Sequence, residues 1–391
     1  MNRGEFLRRS VSVAAAASPL ASAALAAAAA PLPPPHRSGL EHVIVLMMEN
    51  RSFDHLLGWL PGADGRQAGL SYVDRAGRRH STYPLAPDFQ GCGHPDPDHR
   101  PTAGRVQYNG GACDGFLRSA SDRYAVGYYR RRDLSFLGRA APDWTVCDRY
   151  FSAVMAETAP NRAYQHAGVA PGLHVGEEGL RLPTIWDRLA ARRLSGRSYT
   201  GSGEPFLKHW GNRYDDILHS YPDFLHDCKT GRLPHVAFVD PFREGSEHGL
   251  SQDDHPFADI RAGEAFLART YDAVVTSPQW RSAALVITYD EWGGFFDHVP
   301  PPRATDVDPA LTLRGFRVPC IVVSPFARRR QVDHRVFDHA SILRMIEWRW
   351  SLRPLSVRDA KANNLAAVLD FRRGNLRAPR YSVPQLKPAR C

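Results

Sequence analysis

Residues 43–48 (Val-Ile-Val-Leu-Met-Met) are apolar without alternation, and the run stops abruptly at Glu49-Asn50. A strand that is apolar on both faces must be covered on both faces, which places it inside a sheet flanked by helices. Residues 284–289 repeat the pattern and stop at Asp290-Glu291. Further strand-like runs lie at 144–147, 235–239 and 318–323, with helical patterns at 184–194, 214–229, 259–276 and 339–350. Strands alternating with helices predict an α/β fold on a largely parallel sheet. Residues 58–143 are rich in Gly, Pro, Asp and Arg, and read as a long excursion over the edge of that sheet, not as a second domain.

The first thirty residues hold Arg3, Arg8 and Arg9 and then little but Ala, Val, Ser and Leu, the pattern of an export signal with small-residue cleavage sites. Arg3-Gly4-Glu5-Phe6-Leu7-Arg8 resembles a twin-arginine motif in which Gly4 replaces the second arginine. Residues 31–40 read as a linker, 41–377 as the functional domain and 378–391 as a coil tail. An exported, periplasmic or extracellular, location is expected. The formal charge of +9 is spread over scattered arginines without a clustered, aromatic-interleaved stripe, so no nucleic-acid partner is expected. Nor does anything point to an obligate protein partner. Six cysteines lack C-x-x-C spacing, which argues against a thiolate zinc site. Cys92 and Cys113 share a loop-rich stretch and are the expected disulfide; Cys147 and Cys320, in apolar surroundings, are expected as buried thiols.

Burying a carboxylate is unfavourable by several kcal/mol without a compensating cation or donor. Two buried strands that each end in acidic or amide oxygens therefore suggest a shared cation, and Glu49, Asn50, Asp290 and Glu291 form a hard-oxygen set suited to a divalent metal such as Ca, Mg or Mn. Nearby histidines leave Zn and Fe open. Asn50 or Ser52 could equally cap a short helix, with Asp54 and His55 at the surface. In Thr158-Ala159-Pro160-Asn161-Arg162, Pro160 marks a helix start, so Thr158 faces a helix N-terminus, either as a cap or as a metal-bound nucleophile. Asn161 or Arg162 would then hold non-bridging phosphate oxygens. His99, His255, His298 and His339 each neighbour an Asp that could orient an imidazole.

Taken in order, Glu49 through His55, Asn109-Gly110-Gly111 with Asp114-Gly115-Phe116, Thr158 through Arg162, Asp254-His255-Pro256 with Arg261-Ala262-Gly263, Tyr289-Asp290-Glu291 with the stretch from Gly293 to Pro302, and Asp338-His339-Ala340-Ser341 resemble the bacterial phosphoesterase family that includes non-haemolytic phospholipases C and an acid phosphatase of the same fold. The resemblance covers about residues 41–371. It implies an alkaline-phosphatase-like three-layer αβα sandwich with a central, mostly parallel sheet. By the same resemblance Glu49, Asn50, Asp290 and Glu291 ligate the metal and Thr158 is the metal-facing nucleophile. His99, His255 and His339 line the phosphate pocket, with His255 or His339 protonating the leaving group and His298 a further site residue. The Thr158 segment is also similar to the C-x-P-x-R stretch of sulfatases, but no Cys stands there to become formylglycine. Glu157, before the nucleophile, and Asp98-His99-Arg100, in place of Pro-His-Ser, depart from the family pattern and bear on substrate preference.

The implied function is an exported, metal-dependent phosphoric-ester hydrolase of the phospholipase C type, acting on phosphodiesters including phospholipid at a membrane surface. Alternatives are a phosphomonoesterase of the acid phosphatase type and a non-catalytic anion- or metal-binding relative. A choline headgroup would need an aromatic cage, for which Trp144, Tyr150, Phe151, Tyr164, Trp292 and Phe295 are the available rings.

Overall fold

A computed structural model describes residues 31–176, 179–245, 248–386 and 390–391. The export segment expected at 1–30 lies outside the described residues. Residues Leu32–Cys391 form one compact unit.

Its strands are β1 (His42–Met48), β2 (Ser71–Val73), β3 (Arg79–Ser81), β4 (Tyr83–Pro84), β5 (Gly127–Tyr128), β6 (Thr145–Cys147), β7 (Gly196–Ser202), β8 (Leu218–Ser220), β9 (Val236–Phe242), β10 (Ala283–Tyr289), β11 (Cys320–Val323) and β12 (Gln331–Asp333). The helices are α1 (Phe53–Leu57), α2 (Pro101–Tyr108), α3 (Leu137–Asp143), α4 (Thr158–Ala167), α5 (Ile185–Ala191), α6 (Tyr221–Thr230), α7 (Ile260–Val275), α8 (His339–Trp350) and α9 (Val357–Lys361). Eight strands form one sheet in the order β12-β6-β11-β10-β1-β9-β7-β8. Pairing is parallel except at β11, which runs antiparallel to β10 and β6. Helices flank this α/β sheet, with α4 packed on α8 and α6 on α7.

The unalternating runs became the central strands. Every residue of β10 is buried, as is β1 beyond His42. β1 lies between β9 and β10, and β10 between β1 and β11, so neither carries an open ladder. Two expectations differ. The helix expected over 214–229 starts only at Tyr221, because Ser220 caps it in a reciprocal pair with Asp223 and residues 218–220 pair with β7 instead. The strand β7 (Gly-Arg-Ser-Tyr-Thr-Gly-Ser) lacks an apolar run and gave no strand signal. No helix among the described residues is long and apolar enough to cross a membrane.

The expected Cys92–Cys113 bridge does not form. Cys92 pairs with Cys391, their Cα atoms 5.3 Å apart, because the tail returns along the body to the 88–92 loop. On its way Tyr271 Oη donates to the Pro379 carbonyl (2.9 Å) and Arg139 Nη1 to that of Ser382 (3.1 Å). Cys113, Cys147, Cys228 and Cys320 are buried thiols.

Candidate active site

Met48 of β1 lies opposite Tyr289 of β10, and Leu46 opposite Val239 of β9. Glu49 and Asp290, which follow β1 and β10, and Asp240, near the end of β9 next after Val239, therefore gather toward the carboxyl edge of the sheet, where ligands of parallel sheets bind. Asn50, the residue that turns the chain out of β1, has φ 58° and donates its backbone N–H to Asp290 Oδ1 at 3.2 Å. Gly293 answers it across the turn after β10. A Cβ there would sit 2.1 Å from the Asn50 carbonyl oxygen, and its φ of +60° is left-handed, so only glycine closes this corner. Ser52 caps α1, as one reading of that segment required, yet Asp54 and His55 are buried rather than at the surface.

Arg162, on the first turns of α4, reaches all three strand ends. Its Nε is 3.1 Å from Asp290 Oδ2, Nη1 2.6 Å from Asp240 Oδ1 and Nη2 3.0 Å from Glu49 Oε1, with the side chain fully buried. Burial opposes its charge, but the carboxylates of Asp240, Asp290 and Glu49 hold it more firmly protonated than usual. Burial alone would raise the Glu49 carboxyl; Arg243, whose Nε is 2.9 Å from Glu49 Oε1, and Arg162 together hold it below the ordinary range. Asp290 is raised by burial and by Glu49, against the pull of Arg162. Arg162 was expected to grip substrate oxygens; instead each of its nitrogens is bonded to a carboxylate. Asn161 likewise has no free group. Its Oδ1 accepts from Val154 N (3.0 Å), and its Nδ2 donates to the carbonyls of Ala156 (2.7 Å) and Glu157 (3.1 Å), pinning the approach to α4.

Thr158 is the first residue of α4, and Glu157 takes the cap position. The hydroxyl of Thr158 donates to Asn50 Oδ1 at 3.5 Å, and Asn50 Nδ2 lies 3.5 Å from His99 Nε2. His99 Nδ1–H donates to the Pro97 carbonyl (2.8 Å), so Nε2 faces Glu291 Oε1 at 3.7 Å. That oxygen is buried and has no hydrogen-bond partner, while Glu291 Oε2 accepts from Gly293 N at 2.7 Å. Burial pushes the Glu291 carboxyl well up. Burial would lower His99, yet Glu291 and Asp96 raise it to about 9. The donors of Asn50, Thr158, Asp290 and Glu291 are all oxygens, and the unpartnered Glu291 Oε1 is the buried charge that a hard divalent cation would compensate. The residues present fit such an ion.

The remaining histidines separate. His255 Nε2 lies 3.8 Å from Asp96 Oδ2, and Asp96, His99 and His255 bring three potential ligand atoms within 4.8 Å of one another. His339, expected in the phosphate pocket, is fully buried beneath it. Its Nε2–H donates to the Asp290 carbonyl at 2.7 Å, and its Nδ1 accepts from Tyr150 Oη at 3.0 Å. Burial lowers it to about 4, and neither nitrogen is free for a leaving group. His298 stands in a different network, 2.5 Å from Asp54 Oδ2 and 3.2 Å from Asp64 Oδ1, where Arg317 joins Asp54 (3.0 Å) and Asp297 (2.9 Å). The six aromatic rings considered for a choline cage are all in the core, none more than 1% exposed.

Sequence reasoning missed Asp240, Arg243 and Asp96, and took Tyr150 only as a cage ring rather than as the partner of His339. Asp240 had the same signal as Glu49 and Asp290, an acid ending a buried run. Arg243 had none, standing among many arginines.

A profile described as the Phosphoesterase family matches residues 40–353. The chain belongs to the phosphoesterase family. It is thereby a phosphoester hydrolase. Phospholipase C A of Mycobacterium tuberculosis is 28% identical, over 95% of this chain and 85% of that protein. Non-specific phospholipase C1 of Arabidopsis thaliana is 29% identical, over 90% of this chain and 75% of that protein. Among solved structures, a protein in the alkaline phosphatase superfamily from Vibrio parahaemolyticus aligns with TM-score 0.42 and 10% identity, covering 80% of this chain and 66% of that one. The lipoteichoic acid synthase LtaP from Listeria monocytogenes aligns with TM-score 0.46 and 8% identity, covering 83% of this chain and 76% of that one.

Proposed function

We propose that the protein is an exported, metal-dependent phosphodiesterase of the phospholipase C type that uses Thr158 as nucleophile. The observation that carries this is the line of groups from the Thr158 hydroxyl through Asn50 Oδ1 to His99 and the unpartnered Glu291 oxygen, all at the sheet's carboxyl edge. Relatives described as phospholipases C along nearly the whole chain support the diester class. A divalent ion held by Asn50, Asp290, Glu291 and Thr158, with Glu49 behind, would supply electrophilic stabilisation of phosphoryl charge.

The chain's own groups do the rest. Thr158 Oγ1 gives up its proton to water and attacks phosphorus in line, forming an O–P bond as the bond to the leaving oxygen breaks. His99 and His255, whose rings stand 6.3 Å apart, face the site, and either can deliver a proton to that oxygen. Water then releases the phosphothreonine by the reverse roles. Arg162 and Asn161 act as positioning residues for the carboxylates and for the Thr158 turn, and His339 fixes the Asp290 carbonyl.

Thr158→Ala should reduce kcat on phosphatidylcholine and bis(p-nitrophenyl) phosphate at least 1,000-fold with an unchanged circular dichroism spectrum. Retention of more than a tenth of the wild-type rate would refute the nucleophile. A faster rate on p-nitrophenyl phosphate than on either diester would replace the diester reading with a monoesterase.

A further inference from the structure

A phosphoryl group entering this site needs a cation, yet Arg162 is fully committed to Asp290, Asp240 and Glu49. Arg243 is differently disposed. It is the first residue past β9, so it stands on the same sheet edge as Asp240. Its Nε lies 2.9 Å from Glu49 Oε1, and among the described residues Glu49 is its ion-pair partner. Unlike Arg162, whose side chain is 1% exposed, Arg243 is 28% exposed. It lines a cavity of about 790 Å³ together with Glu49, Asp253, His255, Phe206 and Trp210. A guanidinium anchored through Nε keeps its two Nη groups as a planar pair of donors, the geometry that matches two oxygens of a phosphoryl group.

We infer that Arg243 is the residue that positions the phosphoryl group, taking two of its non-bridging oxygens from the cavity side while Glu49 holds the guanidinium in place. The inference rests on the hydrolase reading above and adds to it the cation that grips the substrate.

The test is binding of inorganic phosphate to the purified full-length protein, read by calorimetry and by fluorescence of Trp210 in the cavity wall, alongside steady-state kinetics on bis(p-nitrophenyl) phosphate. Arg243→Ala should weaken phosphate binding at least tenfold and raise KM more than it lowers kcat. Arg243→Lys, which keeps the charge but not the paired donors, should recover at least threefold of the lost affinity. Phosphate affinity and KM within twofold of wild type in Arg243→Ala would overturn the inference. So would a loss of kcat in both variants with unchanged phosphate affinity, since Arg243 would then only neutralise Glu49. A wild-type protein that neither binds phosphate nor cleaves any phosphoester would instead remove the hydrolase reading itself.

Discussion

Replacing Arg162 by Met removes the one guanidinium that joins three strand ends while keeping most of the side chain's volume. Glu49 would retain Arg243 at 2.9 Å, but Asp290, fully buried, would lose its ion-pair partner, as would Asp240. Breaking a buried pair from one side costs about 3–5 kcal/mol, because the carboxylate is left uncompensated. Unfolding entropy of about 2.1 cal/mol/K per residue over roughly 360 ordered residues gives about 0.76 kcal/mol/K, so about 4 kcal/mol lowers Tm by about 5 °C. The deficit should also depend on pH. Asp290 is already raised by burial and by Glu49, with Arg162 as its chief opposition. Without Arg162 its folded pKa climbs further, and a group raised on folding contributes stability that is lost as pH rises. Thermal melts of wild type and Arg162→Met between pH 5 and pH 8, each with and without chelator, should show a gap that widens toward pH 8. Curves that coincide within 1 °C across that range would mean that Arg162 is not the compensating cation.

Two further outcomes follow from the buried polar groups and the tail. His166 accepts a hydrogen bond from Trp186 Nε1 at 3.1 Å and is lowered to about 3 by burial and then by Arg162. A His kept neutral in the fold gives stability that is complete above its ordinary value of 6.5 and lost below it, so stability should fall by up to about 1.4 kcal/mol per pH unit from 6.5 toward 3; denaturant titrations should show this slope reduced in His166→Gln, and an unchanged slope would contradict it. Cys391→Ser opens a loop spanning 299 residues and should lower stability by about 2–5 kcal/mol, as should treatment of wild type with dithiothreitol; equal midpoints for oxidised and reduced protein would show that the tail's other contacts already hold it.

What could be read in the sequence follows the physics of each element. Residues 43–48 and 284–289 announced themselves because strands buried on both faces leave no polar alternation, and they became adjacent central strands. Strand β7 pairs through its backbone with β9 and β8 while its Gly, Ser, Thr and Arg side chains carry no periodicity, so nothing in composition distinguishes it from a loop. Glu49, Asp290 and Thr158 stood out as candidates because an acid ending a buried run or a hydroxyl at a helix start is informative by itself. The histidines were not separable in this way. An Asp neighbour in sequence does not say which partner the imidazole meets in space, and His339 turned to the Asp290 carbonyl and Tyr150, whereas His298 turned to Asp54 and Asp64. The Cys92–Cys391 bond lay beyond local reading for the same reason, since proximity along the chain is a poor guide to proximity across a returning tail.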